Sequence, residues 1–184
     1  KAGHEVHVLD LCFSQRPARD IARAVAQWQP ELVGLSIRNI DNSAGYNTEF
    51  FLDALRRDII EPVKAVFQGP IVIGGPSVGI NAAEMLTFFD LPLAIRGDGE
   101  SAIVELARRL SAGEALGSMP GLVRRENGVL LDDNQPWAVP DLDELALSRP
   151  HRYIDLAPYR RFDSPLQVQT KRGCALACTY CTYN

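Results

Sequence analysis

Cys174, Cys178 and Cys181 are spaced C-x3-C-x2-C and are the residues of this sequence best suited to chemistry. They follow Gly173, which frees the backbone to turn, and Leu166–Thr170, a run that alternates like a strand. Three thiolates on such a loop can converge on one point. A structural zinc site normally closes with four ligands in paired knuckles. An iron–sulfur cubane held by three cysteines instead keeps one iron open to a further ligand, and the spacing favours that reading over zinc or over small buried thiols. Lys171 and Arg172 are placed to offset thiolate charge, although two cations beside a turn are more often simply solvated, and neither is given a catalytic role. Cys12 lies far away and is expected to be structural, so the four cysteines do not form a disulfide framework.

A second group of candidates lies where apolar runs end in glycine. Gly74 and Gly75 would let the backbone approach a flat ligand, and Pro76 stiffens their turn. Any fold with tight strand-to-helix turns needs such residues, so both readings stay open. Gly97-Asp98-Gly99-Glu100 is a similar turn, in which a carboxylate at the start of a helix is already favoured by the macrodipole. Arg38 ends another apolar run, where it could cap a loop, bind a carboxylate or face a ligand.

The elements that must position these residues alternate. Glu5–Leu11 reads as a strand and Pro17–Gln29 as an amphipathic helix with proline in its first turn. Leu32–Ile37 reads as a buried strand, and Asn47–Gln68 as a long helix that Pro62 could break. Ile71–Ile73 is a strand, Ala82–Phe89 a helix, Leu93–Ile95 a strand and Glu100–Ser111 a helix. Apolar strands separated by helices imply a parallel sheet covered on both faces. A hairpin of Gly121–Arg125 and Val129–Leu131 then turns at Asn127-Gly128. From Asp132 to Pro165 the chain is rich in Pro, Asp and Arg and is expected to be a surface linker.

The cysteine loop, with the aromatic Tyr180 before its last cysteine, resembles the signature of radical S-adenosylmethionine enzymes. The resemblance implies that Cys174, Cys178 and Cys181 ligate a 4Fe–4S cluster and that Tyr180 lies near the adenine. It also implies that S-adenosylmethionine chelates the open iron and is cleaved by an electron from the cluster to a 5′-deoxyadenosyl radical. Upstream, Ala2–Val6, Pro30–Ser36, Ile71–Pro76 and Ile95–Glu100, in that order, resemble the cobalamin-binding domain that precedes the radical barrel in one branch of this family. By that resemblance Gly74, Gly75, Pro76 and Ser77 approach cobalamin, while Ser36, Gly97, Gly99 and Glu100 line the slot for its nucleotide tail. Arg38 would face the lower side of the corrin, and because a guanidinium has no lone pair for cobalt that side would stay unligated. His4, His7 and His151 match no Asp-x-His-x-x-Gly loop, and His7 and His151 are expected to be structural or solvated.

The fold class implied is α/β: a Rossmann- or flavodoxin-like open parallel sheet over residues 1–131 that includes a terminal hairpin, a linker over 132–165, and over 166–184 the first strand and cluster loop of a radical (β/α) barrel. In the strand order 2-1-3-4-5 of such a sheet, Glu5–Leu11 would be the second strand. The central strand would then precede Lys1, and the chain alone is expected to be unstable. The activity implied is methyl transfer to an unactivated carbon, with no catalytic residue assigned in this chain. Ring closure or contraction, a front domain used only for docking, and a cobalamin or metal sensor remain alternatives. An electron donor such as flavodoxin or ferredoxin and a small-molecule substrate are the implied partners. The net charge of −4 gives no basic footprint for nucleic acid, and no apolar run approaches the roughly 18 residues of a membrane span. The cytoplasm is the expected location.

Overall fold

The structure, a computed structural model, describes residues 3–132, 135, 137, 141–145, 149–164, 172–176, 178 and 179. The chain divides into two compact units, Lys1–Leu147 and Ser148–Asn184. The predicted strand Leu166–Thr170 lies outside the described residues.

The first unit is built on one sheet whose strands, in spatial and chain order, are β1 (Val33–Ser36), β2 (Ile71–Gly74), β3 (Leu93–Ile95), β4 (Leu122–Glu126) and β5 (Val129–Asp132). The first three pair in parallel, and β4 and β5 continue the sheet as an antiparallel hairpin. The hairpin is therefore part of the sheet and covers the free edge of β3. Asn127 and Gly128 both take positive φ, 52° and 80°, as a type I′ turn requires.

Side chains alternate across the sheet. Ile71, Ile73 and Ala94 enter one core with Ile21, Ile60, Leu86 and Phe89, which come from helices on that face. Val72, Leu93 and Ile95 enter a second core with Ala102 and Leu106 of α5 (Gly99–Ala112). Fully burying one such aliphatic side chain contributes about 1.5–3 kcal/mol, so β2, buried from Ile71 to Ile73, is the anchor of the unit.

The helices depart from the sequence pattern in instructive ways. α1 (Pro17–Trp28) ends where Gln29 turns left-handed, at φ 45°. The long helix begins only at Leu52, because Asn47 takes φ 59° and the preceding loop is tied by Asn42 and Asp41 side chains. It comprises α2 (Leu52–Leu55), a π-helical segment Arg56–Ile60 and α3 (Glu61–Val66). Pro62 does not break it. The wider turn, in which the Glu61 N–H donates to Arg56 five residues back, absorbs the interruption just before the proline. α4 (Pro76–Phe89) begins six residues earlier than predicted and kinks at Asn81, where φ is −129° and ψ 42°.

Two expectations are corrected. Glu5–Leu11 is not a strand among the described residues: it lacks a ladder partner, so Leu9 and Leu11 pack against the core while Val6 and Val8 stay exposed. Leu32–Ile37 is not a fully buried strand either, since β1 lies at the edge of the described sheet with Gly34 and Ser36 exposed. In the second unit, a short helix α6 (Ala157–Arg161) follows a 3-10 turn at Pro150–Arg152.

Candidate cofactor site

The carboxyl ends of β1, β2 and β3 bring together most of the predicted ligand-binding residues, as an open parallel sheet does. β1 leaves the sheet at Ile37 and Arg38, and the turn from β2 into α4 is fastened against it. Ile37 N–H donates to the Gly74 carbonyl at 2.7 Å, and Ser77 N–H donates to the Ile37 carbonyl at 3.3 Å. The buried Ser77 hydroxyl donates to the Arg38 carbonyl at 2.5 Å. Gly75 lies in the middle of this seam at φ 101°, where a Cβ would come within 2.7 Å of the Ile37 carbonyl oxygen. The protein's own packing requires that glycine.

Gly74 is different. A Cβ there would meet Ile95 only at ordinary distances, 3.8 Å and beyond. Pro76 is exposed at the first position of α4. Gly79, three residues on, also has room, its nearest neighbour being the Gly97 amide nitrogen at 3.9 Å. Glycine inside a helix costs about 1 kcal/mol relative to alanine, so a helical glycine with open space is not explained by packing.

The turn from β3 into α5 is tied from the far side. Arg96 N–H donates to the Gly121 carbonyl at 2.7 Å, Gly121 N–H to the Gln135 carbonyl and Asp98 N–H to the Trp137 carbonyl. Trp137 pairs with Gly97 in an isolated bridge and packs into the α5-side core. Gly121, at φ 75°, would put a Cβ 2.8 Å from the Arg96 carbonyl oxygen and 2.9 Å from the Trp137 nitrogen. Residues 135 and 137 thus strap the rim. Gly99 opens α5 with no atom within 4 Å of a would-be Cβ, and Glu100 is exposed in the first helical turn.

On the α5 side of the sheet, Gly34 pairs in register with Val72 and Ser36 with Gly74. Gly34, Ser36 and Gly74 therefore face the same way. Ser36 is exposed and Gly74 half-buried, leaving a shallow trough of small residues that runs to the rim. A corrin with a nucleotide tail needs a broad open rim and a narrow apolar slot beside it. The positions of Gly74, Gly79 and Gly99, which Cβ atoms would narrow, and the trough beneath them fit that shape.

The loop after β1 closes on itself through a bridge between Asp41 and Phe50 and leaves Tyr46 and Phe50 strongly exposed. Arg38, also exposed, stands at its start. His7 stacks on Trp28 with centroids 4.8 Å apart and shares a hydrogen bond with Glu5, in keeping with a structural role.

In the second unit, Gly173 takes φ 70° and lets the chain turn into the cysteine loop. Cys174 is exposed and Cys178 half-buried. Cys181, Tyr180 and Lys171 lie outside the described residues, so the predicted ligand set extends past them. Among the described residues no group of at least three His, Cys, Asp or Glu side chains is arranged to hold a metal.

The sequence pattern missed Gly79 and the strap at Gln135 and Trp137. Gly79 lies ahead of the predicted helix Ala82–Phe89, where a glycine reads as ordinary turn chemistry. Only the lone tryptophan in a proline-rich stretch could have marked the second.

The profile of the B12 binding domain family matches residues 1–107. The chain is 27% identical over 180 residues to an uncharacterized methyltransferase of Pyrococcus horikoshii, covering 97% of this chain and 37% of that protein. It is 31% identical over 128 residues to a tryptophan 2-C-methyltransferase of Streptomyces laurentii, covering 66% of this chain and 21% of that one. Among solved structures, it resembles the radical S-adenosylmethionine methyltransferase TsrM of Kitasatospora setae. The form with cobalamin and a 4Fe–4S cluster bound superposes with a TM-score of 0.68 at 28% identity, covering 81% of this chain and 25% of that one. The form with tryptophan and a S-adenosylmethionine analogue gives the same TM-score at 29% identity, over 75% of this chain and 25% of that one. The chain thus spans well under half the length of these relatives.

Proposed function

Because the chain belongs to the B12-binding domain family, we propose that it is the cobalamin-carrying front part, joined to the cluster loop, of a radical S-adenosylmethionine enzyme that transfers a methyl group to an unactivated carbon. The observation that carries this reading is the family match over residues 1–107 followed, in the same chain, by the C-x3-C-x2-C loop. The likeness to TsrM supports it.

In this reading residues 1–131 form the cobalamin domain, 132–165 the linker, and 166–184 the start of the radical barrel. Ser36 and Gly74 line the trough for the nucleotide tail, and Gly97, Gly99 and Glu100 flank its mouth. Gly75, Pro76 and Ser77 hold the β2–α4 turn rigid beneath the macrocycle, so that little ordering is needed on binding. Arg38, just past the end of β1, would offer the group hydrogen-bond donors but no lone pair for cobalt. Cys174, Cys178 and Cys181 would hold the cluster, with Tyr180 as the aromatic residue for the adenine. When bound, cobalamin would carry the methyl group and the cluster would deliver an electron to S-adenosylmethionine. A flavodoxin or ferredoxin is the proposed electron donor and a small molecule the proposed acceptor. No helix among the described residues is long and apolar enough to cross a membrane, and the cytoplasm is the proposed location.

The test is elemental. The full chain, produced in cells supplied with cobalamin and purified without oxygen, is expected to carry cobalt together with iron and sulfide. Cys174→Ser, Cys178→Ser and Cys181→Ser are expected to lose the iron and keep the cobalt. Iron without cobalt would reduce the front domain to a docking module. Cobalt without iron would make the chain a carrier or sensor, and neither metal would sink the proposal.

A further inference from the structure

We propose that the one-turn lead of α4, through Gly79 and Ile80, is a direct seat for cobalamin, with Gly79 leaving the space that the ligand occupies and Ile80 supplying an apolar contact beside it. The inference rests on the cobalamin reading above and adds residues that neither the glycine motif nor the cluster loop identifies.

Three observations converge on this turn. It is a separate piece of helix, since Asn81 leaves helical geometry and divides Pro76–Ile80 from the rest of α4. It is held firmly from below, where Gly75 packs on the Ile37 backbone and the Ser77 hydroxyl bonds to the Arg38 carbonyl. Yet its upper side is left bare. Val78 and Ala82 are fully buried, whereas Ile80 between them is 59% exposed. A rigid turn that displays a large aliphatic side chain gains nothing for the fold by doing so.

Gly79 provides the open space beside that side chain. A Cβ there would sit in ordinary contact with the Gly97 nitrogen at 3.9 Å and touch nothing else within 4 Å. Its φ lies outside the left-handed range, so neither backbone conformation nor packing demands glycine. The same Gly97 amide places the turn against the β3–α5 crossing, where Gly99 is likewise unobstructed. A broad ligand resting across both turns explains why side chains are absent from them. The periphery of a corrin carries methyl groups that suit the exposed face of Ile80.

Protein packing and ligand packing predict opposite outcomes for one substitution. Gly79→Ala in the full chain is expected to melt at the wild-type temperature or above it, because alanine favours helix, and to bind hydroxocobalamin roughly tenfold more weakly in an anaerobic absorption titration. Ile80→Gln, at an exposed position, is expected to keep the wild-type melt and to bind a few-fold more weakly, on the order of threefold. Wild-type affinity in both variants would overturn the inference while leaving the cobalamin reading intact. A large drop in the melting temperature of Gly79→Ala would also overturn it, by making the glycine structural. A wild-type chain that takes up no hydroxocobalamin would overturn the cobalamin reading itself.

Discussion

Two kinds of glycine sit at the carboxyl rim of the sheet. Gly75 and Gly121 are locked in by the protein: each takes positive φ, and each would drive a Cβ to within 2.8 Å of backbone atoms. Gly74, Gly79 and Gly99 lie close by, keep negative φ and would meet nothing nearer than 3.8 Å. The first kind closes the seams that hold β1, β2 and β3 in place. The second kind keeps a surface clear. Sequence treats Gly74 and Gly75 as one motif, but in the structure Gly75 packs tightly on the Ile37 backbone whereas Gly74 has room for a Cβ.

The largest effect that would test this division comes from the locked pair. Gly75→Ala and Gly121→Ala are each expected to destabilise the fold by about 3 kcal/mol, read from urea or thermal unfolding. A loss of less than 1 kcal/mol in both would erase the distinction, on the scale of ordinary surface changes.

The open glycines should respond in the other measurement. Gly74→Ala and Gly99→Ala are expected to stay within about 1 kcal/mol of wild-type stability and to weaken cobalamin binding by roughly tenfold. If they unfold the protein instead, the rim has less room than the backbone geometry shows.

Smaller effects are expected from the ion pair that holds the rim together. Arg96, at the end of β3, pairs with Asp132 at the end of β5 at 2.7 Å, both partners being mostly shielded. Arg96→Ala is expected to cost about 1 kcal/mol and to loosen the hairpin against β3, visible as faster amide exchange at Leu122 and Val123.

The smallest effect lies on α5, away from the rim. Hydrogen bonds from Arg108 and Arg109 hold the Glu105 carboxyl down to about 2, from an ordinary value of 4.5. Its stabilising contribution is therefore complete above pH 4.5 and is lost as pH falls towards 2. Because Arg108 is half exposed and water screens the cluster, the stability difference between wild type and Glu105→Gln is expected to be small at neutral pH and to vanish across that window.

Much of the sheet was legible because β2 and β3 are short apolar runs between helices and because Asn127-Gly128 announces its own turn. Glu5–Leu11 shows the limit of that reading. Its alternation is real, but a strand exists only with a partner for its N–H and C=O groups, and sequence does not reveal the partner. Pro62 misled for a related reason, since the π-helical segment that accommodates it depends on packing against α1 and the core. At the site, the difference between Gly74 and Gly75 resides in φ and in the distance to Ile37, which is 37 residues away in sequence from Gly74. The strap at Gln135 and Trp137 is also non-local, and nothing periodic marks it.

Anaerobic titration of the full chain with hydroxocobalamin, following the corrin absorption bands, asks whether this rim holds the proposed cofactor. A saturable spectral change with one equivalent bound per chain is expected, accompanied by a rise in melting temperature. No spectral change in a folded chain whose iron–sulfur absorption is intact would contradict the cobalamin reading.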